Sequence, residues 1–318
     1  MKLQKYIYFL IVPLLVLSSC SEVYLEESID RQIVVFAGIG GAGDNGYNDL
    51  VTRGLTRVYM DHSGASMNYL TPETMEHAES SIYKWIEEGS RKAAHTLLVL
   101  AASDYRDVAE RILRNPDLKP ENEVEILIFE IPELPQSQNN IKAYSFMISM
   151  NEASYQAGVY AARMGCANPL VWLAYDDAQL LKAADGFDAG YESVTGLTPD
   201  RRYLSDDWHG YIMDRETYMQ MEEKDSLYDF IYPVMGGSNM GIYRYLREHP
   251  DGPWVVGMDV DQSLYSSRVV GSVIKHLDGL LEQIVRSWIN GVPIEQYIDH
   301  YKEYDTQSGY IEWRPVAD

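Results

Sequence analysis

Cysteine is nearly absent: two residues in 318, which excludes a disulfide-stapled scaffold. Positive charge is also short. Twenty-six Lys and Arg stand against 48 Asp and Glu, a formal net charge of −22. Such a polyanion would not hold nucleic acid or an anionic membrane surface by bulk electrostatics. Phenylalanine is rare (6), whereas tyrosine is plentiful (25), supplying flat rings with a polar tip for mixed surfaces and clefts. No Gly-Lys-Ser/Thr triplet is present, so there is no ATP-binding loop. What remains is the composition of a folded protein, 46% apolar and 23% charged.

The N-terminus reads as an address rather than as part of the fold. Lys2 and Lys5 precede an apolar run over 6–17, broken at Pro13 and too short to span a bilayer. Leu17-Ser18-Ser19-Cys20 follows and resembles the lipobox of bacterial lipoproteins. That resemblance implies a signal peptide over 1–20, lipidation of the Cys20 thiol, a tether over 21–30, and work outside the cytoplasmic membrane, where no pool of ATP or NAD exists. Cys166 is then the one thiol left, and is read as a buried apolar side chain.

Beyond the tether, short apolar runs alternate with amphipathic stretches. Strands are expected at 33–37, 66–70, 96–101 and 124–129, with helices at 50–59, 75–86 and 105–114 between them. The pattern starts again with strands at 144–148, 170–175, 231–234 and 254–258. Helices at 152–163, 179–193, 242–248 and 276–290 accompany them. This alternation predicts an α/β protein of two doubly wound parallel-sheet lobes with a crevice between them. Ligands of open α/β sheets sit beyond the carboxyl ends of the strands, so function is sought there.

The first strand runs into Gly38-Ile39-Gly40-Gly41-Ala42-Gly43-Asp44-Asn45-Gly46-Tyr47-Asn48-Asp49. Gly38, Gly40 and Gly43 satisfy a dinucleotide fingerprint formally. Asp44 and Asp49 would repel a pyrophosphate, so that reading is rejected and no cofactor is expected. Two readings stay open and can coexist. The loop presents Asp44, Tyr47 and Asn48 to a neutral polar ligand, or Asn48 or Asp49 caps the next helix. The last strong strand ends Gly257-Met258-Asp259-Val260-Asp261-Gln262. Asp259 and Asp261 lack a third ligand at metal spacing, so no metal site is expected; Asp259 can instead accept hydrogen bonds from vicinal hydroxyls. Lys275, sixteen residues on, is a surface lysine or a donor to the same sugar. Signals for catalysis are thin: the seven histidines are scattered, His209 beside Trp208 reads as a loop residue, and Gly236-Gly237-Ser238-Asn239-Met240 lacks the last glycine of a nucleophile elbow. No enzymatic activity is expected.

Five segments in order resemble the basic membrane protein (BMP) family, the nucleoside-binding lipoproteins of ABC importers. They are Gly43 to Asn48, Glu152-Ala153-Ser154-Tyr155-Gln156-Ala157-Gly158, Gly186-Phe187-Asp188-Ala189-Gly190-Tyr191, Val234-Met235-Gly236-Gly237, and Val256 to Gln262 with Ser272 to Lys275. The resemblance implies a type I periplasmic-binding-protein fold with three crossings. Lobe one would hold 31–142 plus 275–292, and lobe two 143–274 plus 293–318. It implies a receptor that closes on a purine nucleoside and serves an ABC permease. Asp44 and Asn48 would address the base with Tyr47 nearby; Gly236 or Gly237, Asp259 and Lys275 would address the ribose; Trp208 would stack on the base. Gly46-Tyr47-Asn48 departs from the family's Ser-Phe-Asn, Glu130 is the nearest candidate for an acid at a strand end, and Ala101-Ala102-Ser103-Asp104 replaces a Gly-rich turn. An alternative is a sensor for another small polar ligand, a sugar or an autoinducer.

Overall fold

The run at 33–37 is apolar at every position because both of its faces are covered. Ile33 and Val35 join one core while Val34 and Phe36 join another, and all four are fully buried. This is the pattern of a central strand in a parallel sheet. The structure, a computed structural model, describes residues 29–317 apart from 39–40 and 62–63. The signal peptide, Cys20 and most of the tether therefore lie outside the described residues.

The first sheet contains β1 (Ile29–Ala37), β2 (Ala65–Leu70), β3 (Ala93–Ala101), β4 (Glu123–Phe129), β5 (Lys142–Ile148) and, near the end of the chain, β11 (Tyr301–Tyr304). Its order is β2-β1-β3-β4-β5-β11, parallel throughout. Helices α1 (Tyr47–Asp61), α2 (Met75–Glu87) and α3 (Arg106–Arg114) connect its strands. Ile82 of α2 and Ile112 of α3 pack on the Val34 and Phe36 face. Burying such side chains contributes about 1.5–3 kcal/mol each.

The second sheet contains β6 (Pro169–Leu173), β7 (Asp200–Tyr203), β8 (Phe230–Val234), β9 (Trp254–Asp259), β10 (Val269–Lys275) and β12 (Ile311–Pro315), in the order β7-β6-β8-β9-β10-β12. The β12 strand runs antiparallel to β10; the others are parallel. Helices α4 (Asn151–Arg163), α5 (Ala178–Thr195), α6 (Asp214–Leu227) and α7 (Asn239–Glu248) belong here. α4 and α5 touch backbone to backbone. A Cβ on Gly158 would lie 2.1 Å from the Phe187 carbonyl oxygen, and one on Gly190 would lie 2.0 Å from that of Tyr155. The small-residue segments at 152–158 and 186–191 are thus a helix–helix seam.

The two-lobed α/β architecture is as expected, but two boundaries move. β5 continues the first sheet, with Glu125 opposite Lys142 and Phe129 opposite Phe146, and β11 pairs with β5 in turn. Residues 143–148 and 301–304 thus pair with the first sheet, not the second; a last parallel strand looks like the first strand of a new unit when read along the chain. Lys275, conversely, ends β10 in the second sheet. Helix α8 (Leu277–Ile289) returns to the first lobe, where Trp288 Nε1 donates to the buried Glu125 carboxylate. The chain passes between the lobes after β5, after β10 and after β11.

Candidate ligand-binding cleft

The loop after β1 is built around two carboxylates. Asp49 accepts from the backbone N–H of Gly43 (2.6 Å) and Asn45 (2.9 Å). Asp44 accepts from the N–H of Gly46 (3.0 Å), Asn48 (2.9 Å) and Asp49 (3.2 Å), and from Asn48 Nδ2 (3.1 Å). Asp44 therefore caps α1, a place that favours an acid. The capping role expected of Asn48 or Asp49 falls to Asp44, because Asp49 is turned back onto the loop. Burial pushes the Asp44 carboxyl up, and its three backbone N–H partners work against that shift. With two bonds on each oxygen, Asp44 is fully engaged as an acceptor.

At the facing strand ends, two non-glycine residues hold left-handed backbones: Glu130 after β4 (φ 63°) and Asp259 closing β9 (φ 65°). Each such conformation costs about 1–3 kcal/mol and is typical of functional sites. Glu130 Oε1 lies 3.1 Å from Lys275 Nζ across the lobes, an ion pair rather than an aligned hydrogen bond. Gln179 Nε2, near the start of α5, donates to the other Glu130 oxygen and to the Ile148 carbonyl (2.9 Å). Burial raises the Glu130 carboxyl and Lys275 opposes the rise. Asp259 is only 6% exposed, yet no described side chain hydrogen-bonds its carboxylate. Burial pushes it up to about 6; Lys275 opposes this, while Asp44 and Glu130 add to it.

Rings form the rest of the wall. Tyr47 packs on Phe129 (6.2 Å between centroids) and lies 5.7 Å from Lys275 Nζ; its buried hydroxyl has no partner among the described residues. Burial holds that hydroxyl well above its ordinary range, and the carboxylates of Glu130 and Asp259 add to the effect. Trp208 stacks on His209 (3.9 Å), whose ring nitrogen meets Asp207 at 2.8 Å. Tyr211 meets Tyr175 edge-on at 5.5 Å. The lobes approach closely where side chains are missing: a Cβ on Gly237 would lie 3.6 Å from that of Asp44, and one on Gly46 would lie 3.3 Å from Asp259 Oδ2.

All eight residues singled out from the sequence, Asp44, Tyr47, Asn48, Trp208, Gly236, Gly237, Asp259 and Lys275, line one cavity of about 400 Å³ between the lobes. Asp261 does not: it is exposed and accepts from the Ser263 N–H (3.0 Å), so it forms no pair with Asp259. Among the described residues, no group of three or more His, Cys, Asp or Glu side chains is placed to hold a metal. Sequence reasoning missed Asp104, Asp177, Gln179 and Tyr211. Asp104 and Asp177 each sit three or four residues past a strand, the signal that would have found them. Burial and the neighbouring Asp177 push the Asp104 carboxyl up to about 6. Six acids and Lys275 line the cavity, which therefore favours donors over anions.

Two lobes closing on a polar slot at the strand ends define a solute-binding protein. Residues 32–312 match the Bmp family, ABC transporter substrate-binding proteins that are PnrA-like, and the chain belongs to that family. The resemblance read from its motifs is borne out. Solved structures agree on the fold. The chain is 18% identical to an ABC transporter solute-binding protein from Aeropyrum pernix K1 (TM-score 0.68, covering 91% of this chain and 76% of that one). It is 17% identical to a transcriptional activator of the comK gene from Bacillus halodurans (TM-score 0.64, 91% and 92%). It is 12% identical to the periplasmic component of a sugar transport system from Hahella chejuensis (TM-score 0.59, 91% and 100%). No curated protein matches. Membership implies a small-molecule ligand, a permease partner and an extracytoplasmic place of work. No described helix is long and apolar enough to cross a membrane.

Proposed function

We propose that this protein, anchored by lipid on Cys20, captures a purine-nucleoside-like solute between its lobes and hands it unchanged to an ABC permease. The observation that carries the reading is Asp259, a buried carboxylate that lines the cavity and has no hydrogen-bond partner among the described residues. Vicinal ribose hydroxyls would satisfy it through charge-assisted bonds of about 1.5–3 kcal/mol each. Gly236 and Gly237 let backbone approach the same sugar. Trp208 and Tyr47 offer faces for the base, each stack contributing roughly 1–3 kcal/mol. Asn48 keeps its amide oxygen for the base edge, while Asp44 acts by holding Asn48 in place. After the entropy of closure, such a set supports binding at about micromolar or tighter.

Nothing in this reading breaks a bond; the cleft recognises and releases. A second reading, another small polar ligand such as a sugar or autoinducer sensed rather than transported, is favoured by Gly46-Tyr47-Asn48 standing where the family has Ser-Phe-Asn. Calorimetric titration with guanosine, inosine and adenosine separates the two. Heat and saturation with a nucleoside uphold the first reading; silence with all three, and a different solute identified by mass spectrometry of the purified protein, uphold the second.

A further inference from the structure

One corner of the cleft is rich in acceptors, several of them without a donor side chain among the described residues. Asp104 follows β3 on the first sheet and Asp177 follows β6 on the second, and both line the cavity. Asp177 Oδ1 accepts from the N–H of Gln179 (2.8 Å) and Leu180 (3.3 Å), capping α5, while its other oxygen has no described partner. No described side chain donates to the Asp104 carboxylate. Two residues beyond Asp177, Gln179 is 5% exposed. Its amide nitrogen is committed to Glu130 and Ile148, so its orientation is fixed, and its amide oxygen is buried with no partner among the described residues. Lys275, the cationic side chain lining the cavity, is engaged by Glu130.

A buried acceptor without a donor, as the Gln179 amide oxygen is among the described residues, is costly, and the half-buried carboxylates of Asp104 and Asp177 repel one another. A flat group bearing N–H bonds in one plane removes both penalties, and a positively charged one does so best. The edge-to-face pair Tyr175 and Tyr211, whose Tyr211 also lines the cavity, gives such a group an aromatic wall.

We propose that Asp104, Asp177 and the amide oxygen of Gln179 form an acceptor-only subsite that takes an amino or amidinium edge of the bound solute. This rests on reading the cleft as a solute site and narrows its ligand class. Among nucleosides it selects bases carrying amino groups and disfavours bases that turn carbonyl oxygens toward it, because an acceptor placed there faces only acceptors.

The protein and its D104N/D177N variant are titrated with inosine, adenosine and 2,6-diaminopurine riboside. The wild type is expected to prefer the diamino compound over inosine by about tenfold or more, equivalent to one well-placed hydrogen bond to a charged group. In the variant that ratio is expected to collapse toward one. Equal affinities in the wild type, or a preference that survives in the variant, overturn the subsite and leave the nucleoside reading standing. If no nucleoside binds, benzamidinium chloride decides by thermal shift. Protection of the wild type but not of the variant upholds the subsite while the nucleoside reading falls; no protection overturns it. Should the double variant not fold, D104N alone, which leaves the α5 cap untouched, is read in the same way.

Discussion

Glu130 and Lys275 meet at 3.1 Å across the cleft, one at the end of a strand in each sheet and both more than nine-tenths buried. Removing one partner of such a pair strands the other charge, at a cost of about 3–5 kcal/mol. Glu130→Gln is therefore expected to lower the thermal midpoint sharply, and adding Lys275→Met to recover most of the loss. Differential scanning calorimetry of the two variants checks this. An unchanged midpoint in the single variant would show that the pair is solvated and does not couple the lobes.

Asp259 ties stability to pH. Its folded pKa, about 6, lies above the ordinary carboxylate value of 3.8. Between those values the folded state holds the proton more tightly than the unfolded chain, so this group's contribution falls as pH rises through that window and stays unfavourable above it. The full swing is about 3 kcal/mol. Unfolding of wild type and Asp259→Asn, compared from pH 4 to 7, should show the wild type losing stability relative to the variant as pH rises. Ligand affinity should move the opposite way, weakening as pH falls below about 6, because the acceptor must be ionised.

Trp208 packs on His209 at 3.9 Å while facing the cavity. Trp208→Ala is expected to weaken nucleoside binding by roughly 5- to 150-fold, the equivalent of one lost stack, with little change in the thermal midpoint. Titration and melting of the same sample test both halves of that statement.

Gly158 carries weight through packing alone. Gly158→Ala must push α4 away from the Phe187 carbonyl, which lies 2.1 Å from the new methyl position. A destabilisation of about 1–3 kcal/mol is expected from overpacking, measured by urea unfolding. It should leave the relative affinities of different nucleosides unchanged.

Much of the fold could be read from the chain because buried parallel strands are apolar at every position, as Val34, Val35 and Phe36 are. Elements without that signature were missed. The edge strand β7 is Asp-Arg-Arg-Tyr, charged as exposed edges tend to be, and α6 buries only Thr217 and Met221. The break between the lobes was misplaced because pairing, not local sequence, assigns β5 and β11. In the cleft, the eight residues singled out as ligand contacts all reached the cavity, whereas Asp261 of the same motif as Asp259 did not. Asp104 and Asp177 belong to none of those motifs, and only their places three and four residues past β3 and β6 mark them.

The central claim is that the cleft takes a nucleoside-like solute whole and returns it whole. Calorimetric titration with guanosine, inosine and adenosine, followed by mass spectrometry of what is released on denaturation, tests it most directly. The account predicts saturable one-to-one binding at about micromolar or tighter for at least one of the three, with the nucleoside recovered intact. No binding by any of them, or recovery of free base and ribose, would contradict it.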